Sequence, residues 1–448
     1  MKKLIFFMAV LSIMMGCKKT SYVAKFDKTP QERTAEQIAL VSNTLTGSTN
    51  GWIATLSTQS GGGFGFYVSF DKEQNTIMYA DLTGTTASVA GKSYYRVKQD
   101  MGADLVFDTY NYISMLDDPN AAVYGGASKV GYSSDIEFIY QRSTADSIVF
   151  LGKKYRQEFK LVKATAAQKA VYEAGGYKTA IDKYVAYFTT NKYPYIEIAS
   201  GSQTLKLEIS HNLSNTMNVA KRVDFTGVLA DGITIRSSAA KFAYNLTGID
   251  MINGGLKFEG ITFVKFVWKD ATTLAVYDST GKEYIVKNSA TPLVPLYLLW
   301  GTKYSGFVSP YKTIYPGTST AGATILNYYH NGLVPPTQPY TFNSGSITFV
   351  WNTVNKRLRL DGFSSQNGGS SGWITTTTYN YAVDANGVYK FTVQSAPSGG
   401  YVEVPLSRLH TFLLTNSVKF DYFASGGVTY CQVSSVENPG TVMTFALQ

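Results

Sequence analysis

Three residues near the end of the chain have the types and the order of a hydrolase triad. Ser370 lies at the centre of Gly368–Gly372, which fits Gly-x-Ser-x-Gly, and Asp384 and His410 follow it in the order used by α/β-hydrolases. That motif needs a strand entering and a helix leaving, because the tight turn between them projects the serine. The residues that follow, Trp373–Thr377, are typical of a strand. The pattern therefore favours a flexible Gly/Ser loop, with a serine hydrolase as the alternative.

The histidines do not form a recognisable metal motif. The chain contains His211, His330 and His410, and no two of them are close enough to share a helix face. The His-Glu-x-x-His pattern of zinc hydrolases is therefore missing from the sequence. We expect no metal site and no cofactor, and the sequence leans toward a protein that is not an enzyme.

Aromatic residues are concentrated in and beside Gly-, Pro- and Ser-rich connections after residue 290. Sugar rings stack on exposed aromatic faces, so such residues are candidates for glycan contacts. Burial between sheets is the alternative for each of them, and three rings exposed together would favour binding. The candidate ligand-binding residues are Trp300, Tyr304, Tyr311, Tyr328 and Trp373.

The first residues resemble a bacterial lipoprotein signal. Lys2 and Lys3 precede an uncharged apolar run of about twelve residues, where a spanning helix needs roughly twenty. The run ends at Gly16-Cys17, which is similar to a lipobox, and lipid attachment is expected at Cys17. We expect a signal peptide at 1–16 and a lipidated tether at 17–25. The residue after the cysteine, Lys18, favours the outer membrane, and the membrane face remains open.

Composition excludes several classes of protein. The 448 residues carry a formal net charge of +9 that is spread thinly, so nucleic acid is not an expected partner. Once Cys17 is acylated only Cys431 remains, and no intrachain disulfide can form. The 33 Tyr and 25 Phe suit pleated, half-buried surfaces, so stability must come from burial within sheets.

Two segments have the pattern of amphipathic helices. Thr29-Pro30-Gln31-Glu32 has capping-box spacing, and apolar residues then recur at helical period, which predicts a helix near 29–46. Thr165-Ala166-Ala167-Gln168 opens a second helical region near 165–189, which Gly175-Gly176 interrupts. A third, short helix is expected at 407–414.

Most of the remaining chain alternates apolar and polar residues. Short runs of this kind, joined by turn residues, predict hairpins and antiparallel sheets with a few short helices. Pro292 and Pro295 coincide with a change to Gly-, Ser-, Thr- and Tyr-rich sequence. We therefore expect a mainly β protein with at least two domains: β-rich sequence over 26–290 and a C-terminal β domain over 291–448.

The opening of the mature chain resembles a Bacteroidetes lipoprotein family known as domain of unknown function 4302. The resemblance rests on Phe26-Asp27, Pro30–Arg33, Asn50-Gly51-Trp52, Gly62–Phe66, and Met78 with Asp81. The family supplies no catalytic residues. Its members are similar to accessory lipoproteins encoded beside outer-membrane nutrient-import systems, and this neighbourhood is implied by the resemblance alone.

Together these features predict a non-catalytic lipoprotein anchored in the outer membrane. The expected role is to bind a glycan or another nutrient, or to assist a transport complex in the outer membrane. A serine hydrolase that uses Ser370 and a purely structural envelope protein are the alternatives.

Overall fold

The computed structural model describes residues 28–100, 102–212, 221–337 and 339–448. Within these ranges 26 strands form three antiparallel sheets, each built from strands that are neighbours along the chain. The predicted fold class, mainly β with antiparallel sheets and several domains, is confirmed. Cys17 and the expected signal lie outside the described residues.

The first sheet is a closed barrel in which β1 pairs with both β2 and β8. Its strands are β1 (Trp52–Ser57), β2 (Gly63–Phe70), β3 (Asn75–Ala80), β4 (Gly91–Gln99), β5 (Ala103–Phe107), β6 (Glu137–Ser143), β7 (Ser147–Gly152) and β8 (Glu158–Lys163). Alternate side chains point inward and fill the interior with aromatic and aliphatic groups. Helix α1 (Pro30–Thr46) packs on this core through Val41 and Leu45, which are fully buried.

Helix α1 begins as its sequence predicts. The Thr29 hydroxyl accepts a hydrogen bond from the Glu32 amide, and the Glu32 carboxylate accepts one from the Thr29 amide at 2.8 Å. The Thr29 amide and hydroxyl both donate to the carboxylate, and these bonds lower the pKa of Glu32 below its ordinary value. Two short helices, α2 (Gly84–Ser88) and α3 (Ala121–Tyr124), lie in later connections of the first barrel.

The central sheet also curls into a ring. Its strands are β9 (Pro194–Ser200), β10 (Gln203–Asn212), β11 (Arg222–Val228), β12 (Ile235–Asn245), β13 (Gly248–Met251), β14 (Leu256–Phe258), β15 (Ile261–Trp268), β16 (Leu274–Asp278), β17 (Glu283–Ile285) and β18 (Lys287–Asn288). Strand β17 pairs with β16 and the next strand, β18, pairs with β9. The short segment that contains β17 and β18 therefore joins the two ends of the sheet and completes the ring. Helices α4 (Ala166–Glu173) and α5 (Gly176–Thr190) precede it, and α4 contributes Tyr172 to its core while α5 contributes Tyr177 and Tyr184.

The third sheet is again a closed barrel. Its strands are β19 (Gly306–Pro310), β20 (Ser344–Asn352), β21 (Arg357–Ser365), β22 (Trp373–Val383), β23 (Val388–Ser398), β24 (Val418–Ser425), β25 (Val428–Ser435) and β26 (Val442–Leu447). Two helices, α6 (Thr320–Asn331) and α7 (Glu403–Thr415), pack on each other and on the barrel. Its core includes Cys431, which is fully buried, so burial raises the pKa of the thiol.

The first and central barrels meet along a seam at which β2 has glycine at two positions. A Cβ added at Gly63 would lie 2.6 Å from the Phe242 carbonyl oxygen, and one added at Gly65 would lie 2.3 Å from the Tyr244 carbonyl oxygen. Glycine at both positions therefore lets β2 lie directly against β12. Beside this contact the rings of Tyr67 and Tyr172 stack with centroids 5.0 Å apart.

A buried ion pair also crosses the seam. The Lys221 ammonium contacts Asp81 Oδ1 and donates to the Asp81 carbonyl oxygen at 2.8 Å, and both side chains are almost completely buried. Asp81 Oδ2 accepts a further hydrogen bond from the Tyr244 amide at 2.9 Å. Burial raises the pKa of Asp81 and lowers the pKa of Lys221, while their attraction opposes both changes. The two barrels thus share both an apolar core and a polar contact.

The central and C-terminal barrels meet through a more polar contact. The Tyr193 hydroxyl and the Thr429 hydroxyl are 2.6 Å apart, and Lys192 donates to the Gly427 carbonyl oxygen. The connecting segment is fixed by the Leu293 amide, which donates to Glu208 at 2.8 Å. Within the described residues, helices that are both long enough and apolar enough to span a bilayer are not found.

Candidate functional site

Three exposed aromatic side chains lie together on the C-terminal barrel. Tyr340, Trp373 and Tyr401 are 40%, 39% and 36% exposed. The rings of Tyr340 and Trp373 are parallel within 2° at a centroid distance of 6.1 Å. Tyr401 stands edge-on to both, 5.1 Å from Tyr340 and 5.7 Å from Trp373. We call these three residues the aromatic platform.

Main-chain contacts fix the three segments that carry the platform. The Phe342 amide donates to the Leu333 carbonyl oxygen at 2.9 Å, and the buried Phe342 ring packs 5.9 Å from Trp373. Trp373 is the first residue of β22 and pairs with Ser364. These contacts hold two of the rings on the end of the sheet without enclosing them.

The third ring depends on a tight turn before α7. Gly400 has φ +61°, and a Cβ there would lie 2.4 Å from the Thr375 hydroxyl oxygen. The same hydroxyl accepts a hydrogen bond from the Val402 amide at 3.1 Å. Glycine at this position therefore lets the chain pass close to β22 and places Tyr401 beside Trp373.

The Gly/Ser loop between β21 and β22 lies next to the platform and is held by hydrogen bonds. Asn343 Oδ1 accepts from the Gly368 amide at 2.9 Å, and Asn367 Oδ1 accepts from the Ser371 amide at 3.0 Å. The Ser365 hydroxyl accepts from the Gly369 amide at 3.0 Å. Exposed amide and hydroxyl groups are therefore arranged at the edge of the rings, which is the combination that a sugar ligand requires.

The platform carries no ionic groups of its own. The segments 339–346, 364–378 and 393–402 contain no Asp, Glu, Lys, Arg or His. A charged ligand would lose hydration here without gaining an opposite charge. The platform is therefore suited to a neutral ligand with apolar faces and hydroxyl groups.

The structure does not bring the three hydrolase candidates into a relay. The Ser370 hydroxyl donates to the Asn367 carbonyl oxygen at 2.7 Å. Asp384 Oδ1 accepts from the amides of Asn386 and Val388 at 2.9 Å each, and so closes the β22–β23 turn. His410 Nδ1 lies 2.7 Å from the Tyr379 hydroxyl. Ser370 is also followed by a strand, so the turn that would project a nucleophile is not formed.

The predicted aromatic contacts are dispersed over the barrel. Trp300 is 3% exposed and stacks on Trp351 at 5.1 Å, which is the position of a core residue. Tyr304 packs 6.4 Å from Trp300, and Tyr311 packs 6.0 Å from His330. Tyr328 lies under the Arg408 guanidinium at 4.3 Å. Of the predicted set, Trp373 is exposed and belongs to the platform.

The first part of the chain matches a known protein family. A family model described as a domain of unknown function (DUF4302) matches residues 24–270. The chain belongs to the DUF4302 family. No curated protein gives a significant match.

The DUF4302 match covers the first barrel and most of the central barrel. Several residues on which the resemblance rests have structural roles there, because Gly63, Gly65 and Asp81 form the seam between the two barrels. Gly51 has φ +72° and lies against Tyr67, whose hydroxyl donates to the Asn50 carbonyl oxygen at 2.9 Å. The aromatic platform lies outside the matched residues.

One cluster of carboxylates has metal-ligand spacing. Asp100, Asp104 and Glu137 place one oxygen each within 4.8 Å of the others. Lys153 contacts two of them, at 2.5 Å from Asp100 and 2.6 Å from Glu137. The lysine lowers the pKa of Asp100 and of Glu137, so it already provides the opposite charge that a cation would supply.

Two of the three platform residues were not among the sequence candidates. Tyr340 follows a Pro-rich connection and Tyr401 follows Ser398-Gly399-Gly400, which is the same signal that selected Trp373. Their proximity depends on strand pairing, because Tyr340 precedes β20, Trp373 begins β22 and Tyr401 follows β23, and these strands are joined through consecutive pairs. The Gly- and Pro-rich sequence that marks each residue as a candidate can be seen in the chain. The sequence does not indicate that the three side chains come together.

Proposed function

We propose that the protein is a non-catalytic binding protein that takes a neutral glycan on its aromatic platform. The observation that carries the proposal is the group of three exposed, mutually contacting rings, Tyr340, Trp373 and Tyr401, on a rigid barrel. Exposed aromatic patches are costly to maintain in water and are typical of recognition sites. The C–H faces of a sugar can cover these rings while its hydroxyl groups bond to the Gly/Ser loop.

The same proposal includes an anchor and a setting. A lipid on Cys17 would hold the protein at the outer membrane, where a bound glycan can be passed to an import complex. The lipobox-like Gly16-Cys17 supports the anchor, and the resemblance to accessory lipoproteins supports the setting. Nothing in the geometry of Ser370, Asp384 and His410 favours the hydrolase alternative.

The platform is tested by titrating neutral oligosaccharides into the chain that lacks its first 17 residues. Glucan, xylan, mannan and galactan oligosaccharides should be compared by calorimetry. Trp373 is the exposed residue among the five tryptophans, all of which lie in the described ranges, so binding should also shift its fluorescence. Trp373→Ala is expected to raise Kd about tenfold or more, because central aromatic contacts dominate such interfaces.

The matched control is Tyr94→Ala. Tyr94 is 57% exposed on the first barrel, far along the chain from the platform. Its removal should leave Kd unchanged. If none of the neutral oligosaccharides binds, or if both variants bind as the parent chain does, the proposal is wrong.

A further inference from the structure

A large cleft opens between the first and central barrels, away from the platform. It has a volume of about 680 Å³, within the range of small-molecule sites. One wall is the outer face of β1 and β8, and the other is formed by the β12–β13 turn and β15. Clefts between domains are common ligand sites, and this one lies almost entirely within the DUF4302 match.

Lysine side chains stand on both walls of the cleft. Lys160 and Lys163 belong to β8 of the first barrel, whereas Lys265 belongs to β15 of the central barrel. None of the three forms an ion pair within the described part of the chain. An anionic group held between the walls can therefore approach ammonium groups from two sides.

The acidic residues of the cleft offset only part of this positive charge, and the attraction of Lys265 and Lys160 acts on Asp250, where it opposes the effect of burial on the pKa. Glu158 faces Arg142 at 3.8 Å. Asp250 Oδ2 accepts a hydrogen bond from Asn245 Nδ2 at 2.8 Å, and burial raises the pKa of this carboxyl group. Its other oxygen, Oδ1, has no hydrogen-bond donor among the described residues and remains able to accept one from a ligand.

The rest of the lining is mixed. Thr55, Gln168 and Asn253 offer neutral polar groups, and Ile53, Met251 and Val264 offer apolar surface. The cleft is too large for an inorganic anion alone, and its amide, hydroxyl and carboxyl groups suit a ligand with many hydroxyls. We propose that this cleft is a second binding site, which takes saccharides bearing carboxylate or sulfate groups.

The proposal is tested with three probes of similar length, measured by calorimetry on the chain that lacks its first 17 residues. An oligogalacturonate carries carboxylates, a carrageenan oligosaccharide carries sulfates, and a galactan oligosaccharide is neutral. At least one anionic probe should bind more tightly than the galactan. Its affinity should fall as salt is added, because added ions screen the lysine charges.

Substitutions of single lysines test whether the anionic probe binds in the cleft. Lys160→Ala and Lys265→Ala should each raise Kd for the anionic probe about tenfold, the loss expected for one charge-assisted contact. Lys257→Ala removes an equally exposed, unpaired lysine of the neighbouring strand β14 and should change nothing. Circular dichroism of each variant checks that the fold is kept.

Binding of the anionic probe in the cleft can be distinguished from binding of a neutral glycan at the platform. Trp373→Ala should leave anionic binding intact. Equal affinity for the anionic and neutral probes, no binding of either anionic probe, or equal effects of Lys265→Ala and Lys257→Ala would overturn the cleft site while leaving the platform untouched.

Discussion

At the scale of single residues, burial determines the protonation state of His211 and His330. His211 lies among aromatic rings, with its centroid 4.0 Å from that of Phe188, and its Nε2 is 2.7 Å from the Tyr184 hydroxyl. Burial lowers its pKa to about 3. His330 is likewise buried, and its pKa falls to about 4. Both rings are therefore neutral parts of the core at physiological pH.

This burial makes stability depend on pH. The ordinary pKa of histidine is about 6.5, so the unfolded chain binds the proton at His211 more readily between pH 6.5 and about 3. The contribution of the neutral ring is complete above pH 6.5 and is lost as pH falls through this window. His211→Gln keeps an acceptor for Tyr184 and is not protonated.

We therefore expect the difference in thermal unfolding midpoint between the parent chain and His211→Gln to shrink from pH 7.5 to pH 4.5. Scanning calorimetry at the two pH values measures it. The carboxylates titrate in both proteins, so their effect cancels in the comparison. An unchanged difference would show that His211 does not remain neutral through burial.

At the scale of elements, the Asp81–Lys221 pair ties β3 to the start of β11. Removing one partner leaves the other charge buried and uncompensated. Asp81→Asn or Lys221→Met should therefore lower the free energy of unfolding by about 3–5 kcal/mol. The double variant should lose less than the sum of the two, because neither charge then remains unpaired.

Urea denaturation at 25 °C measures these differences. The control is Lys28→Ala, which breaks an exposed pair with Glu36 and should cost less than about 1 kcal/mol. Single variants at Asp81 and Lys221 that cost no more than this control would contradict a structural role for the pair.

Some features of the helices and turns could be predicted from the sequence. Both capping boxes were correct, because Thr29 and Thr165 each bind the amide three residues later. The helix break at Gly175 was also correct, since this residue has φ +76°. Asp231-Gly232 is typical of a two-residue hairpin turn, but the Leu229 amide donates to the Thr234 carbonyl oxygen and the connection has four residues. Residues that form local hydrogen bonds can be recognised in the sequence. The length of a turn depends on the register of the two strands that it joins.

Helix α6 was missed for a physical reason. Its sequence begins Thr320-Ala321-Gly322-Ala323-Thr324, which has weak helix propensity. Gly322 is present because a Cβ there would lie 1.9 Å from the Val442 carbonyl oxygen. The helix is therefore stabilised by close packing on β26, which is a contact between residues more than a hundred positions apart. Closure of the first and third barrels also joins strands more than a hundred positions apart, whereas the platform joins residues between 340 and 401.

At the scale of the whole molecule, the proposed anchor can be tested independently of the binding sites. In cells, the parent chain should sediment with membranes, and Cys17→Ala should move to the soluble fraction, because the lipid would have no attachment point. Cys431→Ala removes the other cysteine, which is buried in the C-terminal barrel, and should still sediment. Membrane association that survives Cys17→Ala would remove lipidation at this residue from the proposal.

The neighbour-to-neighbour strand order has a consequence for how the chain acquires its structure. In the first and third rings the pairing partners are consecutive or are the first and last strands, and in the central ring β13 also pairs with β15, one strand further on. Each ring is therefore complete once its own last strand is available. The first barrel can close after residue 163, while the later strands are still being synthesised. Lys221 then arrives at an Asp81 that is already in place. Assembly can thus proceed in one direction from the N-terminal end, and each finished ring presents the next with a formed surface.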